Sequence, residues 1–332
     1  AVPEPGPGQV TVTVAHNGLC GTDLHEYFAG PTVCTDVPHP LTGAVLPQIM
    51  GHELAGTVAE VGDGVTGVAV GDRVCVEPIY SCGGCAACAD GYQCLCPVMT
   101  AHGCAAPGGG LSERTVVPGE SVHRLPDDLS LVHGALVEPL AVAHNGVALS
   151  EIRPDDVAVV FGAGPIGIGT FLCLGWAGVE RVIMVEPSAA RRRAVSSLGA
   201  DDVLDPAVDD VPDVVRRQTG GRGAAVVFDA AGSPAAFDVA QRTVAPRGRM
   251  VVLAVYENDV SWNPISLLRT QLHLIGSLGY RRGVFDDVIG HLAATPVPTV
   301  PWVDHVPLDR VVEGLGALRR GEAIKLLVDL PG

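Results

Sequence analysis

Directly after the continuous apolar run Val157–Gly162 the chain reads Gly162-Ala163-Gly164-Pro165-Ile166-Gly167 and runs on into a helix-compatible stretch, Ile166–Ala177. That succession requires a buried strand, a tight turn and a helix with nothing between them. A strand apolar at every position is covered on both faces, as in a parallel sheet sandwiched by helices. In such a turn Gly162 permits the sharp exit from the strand. Gly164 lets the backbone approach a pyrophosphate, and Gly167 lets the helix pack closely on the sheet. Pro165 and Ile166 then open a helix whose free N–H groups and positive dipole end suit phosphate. A glycine triplet alone is weak evidence, but here the next strand, Arg181–Glu186, ends in an acid. The Glu186 carboxylate can accept hydrogen bonds from adenosine ribose hydroxyls and would repel a 2′-phosphate, so NAD is expected over NADP. Arg191, Arg192 and Arg193 are the counterweight, since arginines can hold that phosphate; two of the three are read as a solvated helix face.

The segments around this loop alternate in the same way. A helix over Ala189–Leu198 and strands at Ala225–Asp229, Met250–Val255 and His273–Ser277 complete a doubly wound α/β sheet. The first third reads differently. Gln9–Ala15 alternates polar and apolar residues, and Leu54–Val61 and Asp72–Glu77 are further short strands. Gly62, Gly64, Gly67 and Gly71 supply tight turns for a small, mostly β barrel. A length of 332 residues suits two domains. The tail, Pro307–Leu330, holds a short helix and a strand at Ile324–Val328 and is expected to return to the first domain.

Composition narrows the partners. A hydrophobic fraction of 47% supports packed cores, and a net charge of −16 opposes nucleic acid and anionic membranes. Apolar runs are interrupted before reaching about 18 residues, so no membrane span is expected. No signal segment is expected either. Among ten cysteines, Cys82, Cys85, Cys88 and Cys96 form C-x2-C-x2-C-x7-C. Four thiolates on one short loop match tetrahedral zinc and leave no coordination position open, so this site is read as structural. Cys94 lies inside the same loop, but the spacing favours Cys96. Cys34, Cys75, Cys104 and Cys173 read as ordinary thiols. Metal-bound and free thiols together indicate a reducing cytoplasm.

A second metal site, with one position open for water or substrate, can be drawn from distant segments. Cys20, in Cys20-Gly21-Thr22-Asp23, offers a thiolate and His52, in Gly51-His52-Glu53, an imidazole. Either Glu53 or Glu138 can complete the shell with carboxylate oxygen.

With these motifs in order, the chain resembles the medium-chain, zinc-containing alcohol dehydrogenases over essentially its whole length. The family's zinc signature is matched by Gly51-His52-Glu53-x2-Gly56-x5-Gly62-x2-Val65. Cys20–Tyr27, His39–Gly43 and Val137–Val142 are most similar to the 2,3-butanediol (acetoin) dehydrogenase branch, with sorbitol and threonine dehydrogenases as near relatives. The resemblance implies a GroES-like catalytic domain at 1–139 carrying the zinc loop 82–96. It also implies a Rossmann dinucleotide domain at 140–277 and a return to the catalytic domain at 278–332. It implies two zinc ions and NAD per chain, and hydride transfer between a secondary alcohol and the nicotinamide. By motif, Cys20, His52 and Glu138 become catalytic-zinc ligands, with Glu53 a direct or alternate one. Thr22 becomes the hydroxyl that bonds the substrate alcohol and His25 the histidine that passes its proton to solvent. On the cofactor side the implied set is Gly162, Gly164, Pro165, Ile166, Gly167, Glu186 and Arg191, with Ala230, Ala231, Leu253, Ala254 and Val255 lining the groove. Lys325 is implied at the pyrophosphate. The family's relatives also imply a homodimer or homotetramer.

The chain departs from the branch pattern at Ala143-His144-Asn145, where Trp-His is usual, which bears on which alcohol is accepted. It also opens close to the family's second strand, so an incomplete sheet edge is expected. Sorbitol or another polyol and L-threonine are the alternative substrates. A non-catalytic NAD-binding protein of the same fold would lack Cys20, His52 or Glu138, and all three are present.

Overall fold

A computed structural model describes residues 4–331. Along the chain the strands are β1 (Gln9–Gly18), β2 (Glu53–Val61), β3 (Arg73–Val76), β4 (Ile79–Tyr80), β5 (Thr100–Ala101), β6 (Arg114–Pro118), β7 (Val122–Arg124), β8 (Val157–Phe161), β9 (Arg181–Val185), β10 (Asp202–Leu204), β11 (Ala224–Asp229), β12 (Val244–Val252), β13 (His273–Gly276), β14 (Val303–Pro307) and β15 (Lys325–Asp329). The helices are α1 (Gly21–Ala29), α2 (Ala86–Ala89), α3 (Leu131–Leu149), α4 (Pro165–Trp176), α5 (Ala189–Ser197), α6 (Val211–Gln218), α7 (Pro234–Thr243), α8 (Ile265–Thr270), α9 (Val284–Ala294) and α10 (Val311–Arg319). They form two compact units. One runs to Glu138 and resumes at Arg281; the other is Pro139–Tyr280.

In the first unit β1 is the organising strand. Its alternation places Val10, Val12 and Val14 inward, where they are fully buried with Leu54, Val58, Val74 and Val76. The sheet runs β14-β15-β1-β2-β3-β7, and β6 also pairs with β1. One edge of β1 bonds β2 throughout. The other is shared, with β6 along Gln9–Thr13 and β15 along His16–Gly18. The tail therefore adds strand β15 beside β1, and α10 follows a parallel β14 onto the same core.

The second unit holds six parallel strands in the order β10-β9-β8-β11-β12-β13. Counted from β8 this is 3-2-1-4-5-6, the dinucleotide-binding order, whose reversal falls between β8 and β11. Strand β8 is buried at all five positions. Strand β12 begins earlier than its apolar end suggests and stops at Val252, because the N–H groups of Leu253 and Ala254 both donate to the Asp229 carbonyl, at 2.9 and 3.1 Å, and turn the chain.

Candidate functional site

Ladder register brings the first cluster together. Gly18 at the end of β1 stands opposite Glu53 at the start of β2 and opposite Leu327 of β15. Cys20, two residues beyond Gly18, thus meets His52, and Lys325, two before Leu327, meets Glu53. A Cβ at Gly18 would overlap Glu53 Oε2, so only glycine leaves room there. One donor atom from each of Cys20, His52 and Glu53 lies within 4.8 Å of the others. His52 and Glu53 are buried, and Cys20 is partly so.

Cys20 is the N-cap of α1. Its backbone N–H donates to Asp23 Oδ2 at 2.9 Å, while the side chain of Cys20 faces the N–H of Asp23 in a reciprocal cap. The other oxygen of Asp23 lies 3.9 Å from His52 Nδ1, and the thiol of Cys104 is also 3.9 Å from that nitrogen. Neither residue stood out in the sequence. Asp23 is the fourth letter of the Cys20 motif and Cys104 comes from a loop far along the chain. A hydrophobic-side clue was absent for both, since only the fold makes them buried. Thr22 Oγ1 accepts from the Cys20 thiol at 3.9 Å, and His25 follows one turn later on α1.

Glu138 on α3 stands outside the three-donor group yet interacts electrostatically with His52, Glu53 and Lys325. Burial pushes its carboxyl up to about 7, with His52 opposing that shift and Glu53 adding to it. Burial pulls the His52 imidazole down, but the Cys20 thiol and the Asp23 carboxylate beside it win and hold it well above its ordinary value. Cys20 is raised by burial and by Glu53. Three carboxyls and a thiol thus crowd a low-dielectric space that contains one ammonium, Lys325. A mixed sulfur, nitrogen and oxygen donor set with surplus negative charge fits a zinc ion.

Lys325, the chain's only lysine, has partners in this same unit. Its side chain is 1% exposed, and its ammonium donates to Glu53 Oε2 and, at 3.0 Å, to the Leu19 carbonyl. It lies beside the donor cluster because the pairing of β15 with β1 carries it there.

The second cluster is local. The thiols of Cys82, Cys85, Cys88 and Cys96 come within 4.8 Å of one another, and Cys94, buried in a 3-10 turn (Gln93–Leu95), is outside the group. The Cys85 and Cys88 sulfurs are 3.5 Å apart, and the Cys82 N–H donates to Cys96 Sγ at 3.4 Å. The Gly84 backbone N–H leads the contacts that lower the Cys82 thiol to about 6. Four thiols gathered within 4.8 Å on one loop are the donor set of tetrahedral zinc, so these four residues fit zinc as well.

In the second unit the glycine loop joins β8 to α4, with Pro165 at the first turn and Gly164 as N-cap. A Cβ on Gly167 would overlap the Gly162 carbonyl, and one on Gly162 would meet the Ala230 carbonyl at 3.0 Å. Glu186 is 4% exposed; its two oxygens accept from the N–H groups of Ala163, at 2.7 Å, and Ser188, at 2.8 Å. The acid therefore also braces the loop. The guanidinium of Arg191 lies over Gly164, whereas Arg192 is tied to the Glu186 and Pro187 carbonyls and to Asp205. Ile166 is half-buried in the first turn of α4. Ala230 and Ala231 follow β11 beside the loop, held by buried Asp229, which accepts from the Ala231 and Gly232 N–H groups and the Tyr256 hydroxyl. Of the expected lining, Leu253 turns inward against Gly146, Ala254 sits against Gly232, and Val255 is exposed.

A family model for the alcohol dehydrogenase GroES-like domain matches residues 6–127, and one for zinc-binding dehydrogenases matches residues 165–294. The (R,R)-butanediol dehydrogenase of Bacillus subtilis (strain 168) is 38% identical over 98% of this chain and 94% of its own length. This chain is a member of the zinc-binding alcohol dehydrogenase family. The L-threonine 3-dehydrogenase of Pyrococcus furiosus is 36% identical over 78% of the chain and 72% of its own. A crystal structure of 2R,3R-butanediol dehydrogenase from Bacillus subtilis superposes with a TM-score of 0.93 at 37% identity, covering 100% of this chain and 95% of that one. As a family member the chain is an alcohol dehydrogenase that uses zinc and NAD. Among the described residues, no helix is long and apolar enough to cross a membrane.

Proposed function

We propose that the enzyme interconverts a vicinal diol of the 2,3-butanediol type and its hydroxyketone, with NAD as the hydride acceptor. The observation that carries this reading is the full-length similarity to a butanediol dehydrogenase together with the Cys20, His52 and Glu53 donor group. When bound, the metal supplies Lewis acidity toward the substrate hydroxyl and the dinucleotide supplies the hydride acceptor. Cys20, His52 and Glu53 hold the metal, with Glu138 in reserve. Asp23 fixes the Cys20 backbone and sets its charge near His52. Lys325 holds Glu53, which tempers the negative charge around the metal. Thr22 orients the substrate hydroxyl, and His25, one turn further along α1, moves its proton toward solvent. Cys82, Cys85, Cys88 and Cys96 hold the structural ion. Glu186 binds the ribose hydroxyls with the lone pairs its two backbone contacts leave open.

In this reading residues 1–139 and 278–332 form the catalytic domain and 140–277 the dinucleotide domain. The enzyme works as a homodimer or homotetramer in a reducing cytoplasm, which suits cysteines that form no disulfide. Sedimentation analysis checks the assembly. Following NADH formation with the butanediol stereoisomers, sorbitol and L-threonine tests the substrate. The expected winner by kcat/KM is one butanediol isomer, and a preference for threonine would transfer the reading to the relative that carries that name. Cys20→Ser and His52→Ala should each lower turnover at least about 100-fold while NAD binding persists. Retained turnover would remove the metal assignment.

A further inference from the structure

Away from both cysteine-containing clusters, three side chains on adjacent strands aim at one point. His16 on β1 is the direct ladder partner of Asp329 on β15. Strand β14 runs parallel to β15 with Pro307 opposite Asp329, so His305, two residues earlier, projects on the same face one step along. The Nδ1 atoms of both imidazoles lie 2.8 Å from the same oxygen, Asp329 Oδ1. The two rings meet edge to face, with centroids 5.7 Å apart at 78°. All three donor atoms lie within 4.8 Å of one another. The side chains are 21%, 40% and 45% exposed, in the order His16, His305 and Asp329, so an ion can enter and keep water on its remaining positions.

We propose that His16, His305 and Asp329 form a further, surface site for a divalent transition-metal ion, which clips β1 to the tail strands β14 and β15. Two imidazoles and one carboxylate are the donor set of borderline ions such as Ni²⁺ and Zn²⁺, whereas Mg²⁺ and Ca²⁺ select all-oxygen shells. The ladder hydrogen bonds of three neighbouring strands hold the donors in place before any ion arrives, which lowers the ordering cost of binding. The proton each ring shares with Asp329 moves to its other nitrogen as Nδ1 becomes a ligand, and no electron changes hands. A net charge of −16 favours the approach of cations.

The test titrates the zinc-loaded enzyme with Ni²⁺ by calorimetry, with Mg²⁺ as the comparison ion, and follows turnover in the same samples. One further equivalent of Ni²⁺ should bind with a dissociation constant of about 1–100 µM, a range set by three ligands on an open surface. His305→Ala and Asp329→Asn should weaken it at least about tenfold. Both variants should keep wild-type turnover. The thermal midpoint should rise with Ni²⁺ in the wild type and not in His305→Ala. Absence of Ni²⁺ binding below about 1 mM would overturn the proposal. So would equal binding by the variants, or a loss of turnover that tracks the heat, since either would place the ion elsewhere.

Discussion

Asp23 and Glu186 show how one carboxylate can serve both backbone and site. Asp23 accepts from the Cys20 N–H at 2.9 Å and lies 3.9 Å from His52 Nδ1, so it orients the thiol donor and adds negative charge beside the imidazole donor. Groups behind a metal's ligands commonly alter its affinity by about 10- to 100-fold. Asp23→Asn preserves the acceptor for Cys20 but removes the charge. Its zinc affinity, measured by competition with a chromogenic chelator, should fall within that range while NAD affinity holds; unchanged zinc affinity would reduce Asp23 to a helix cap. Glu186 accepts two loop N–H groups. Glu186→Ala should raise the KM for NAD about tenfold or more, and should narrow the gap in kcat/KM between NAD and NADP as the repulsion of a 2′-phosphate disappears. An unchanged cofactor ratio would leave Glu186 only its role in bracing the loop. The place of Glu186 beside the glycine loop was legible because its motif is local, spanning one strand, one loop and the next strand. The approach of Asp23 to His52 was not, since it depends on where the register of β1 with β2 places His52. The contact of Lys325 with Glu53 was not legible either: nothing near it in the chain announces that β15 pairs with β1.

Between strands and helices the same contrast holds. The strand β8, the helix α4 and the strand β9 could be read from apolar continuity and glycine placement. Helices α6 and α7 also carry signals in their caps. Asp210 accepts from Asp213 N–H and Ser233 from Ala236 N–H, each with a proline in the first turn. Strand β10 is three residues long, and only its parallel partner β9 makes it a strand. Strand β7 gains a long-range tie that no local pattern shows. His123 lies between Glu77, 3.1 Å from Nε2, and Asp286 of α9, 2.8 Å from Nδ1, and packs on Phe285. Burial pulls this imidazole down, but hydrogen bonds to the two carboxylates outweigh it and raise it above its ordinary value. A raised folded-state value means the charged ring stabilises the fold. That contribution is complete below the unfolded value of about 6.5 and is lost as pH climbs through the folded value. His123→Gln should therefore cost about 1 kcal/mol near pH 6 and progressively less toward pH 9, read as the gap between thermal midpoints. A gap that stays constant with pH would mean that packing on Phe285, not charge, holds β7 to α9.

The two metal clusters are built on different principles, and the protein should give up its ions in a corresponding order. The four thiols of Cys82–Cys96 lie within one short stretch of chain and close a shell by themselves. A four-thiolate zinc has no position from which a chelator can begin to displace it. The donors come from the cap of α1 (Cys20) and from the start of β2 and the residue before it (Glu53 and His52), and their arrangement depends on sheet register, on Asp23 and on Lys325. Three donors leave a position open, and a ligand that can enter for catalysis also admits a chelator. Dipicolinate at about 1 mM should thus remove one zinc equivalent and abolish turnover, while circular dichroism and the thermal midpoint change little. The second equivalent should leave only after thiol modification or unfolding, and its departure should lower the thermal midpoint sharply, because zinc binding in such loops is coupled to folding. Cys88→Ser should reproduce that second stage alone, with about one zinc per chain and reduced stability. Simultaneous release of both ions, or turnover that survives loss of the first, would contradict this division between a site held by a loop and a site held by the fold.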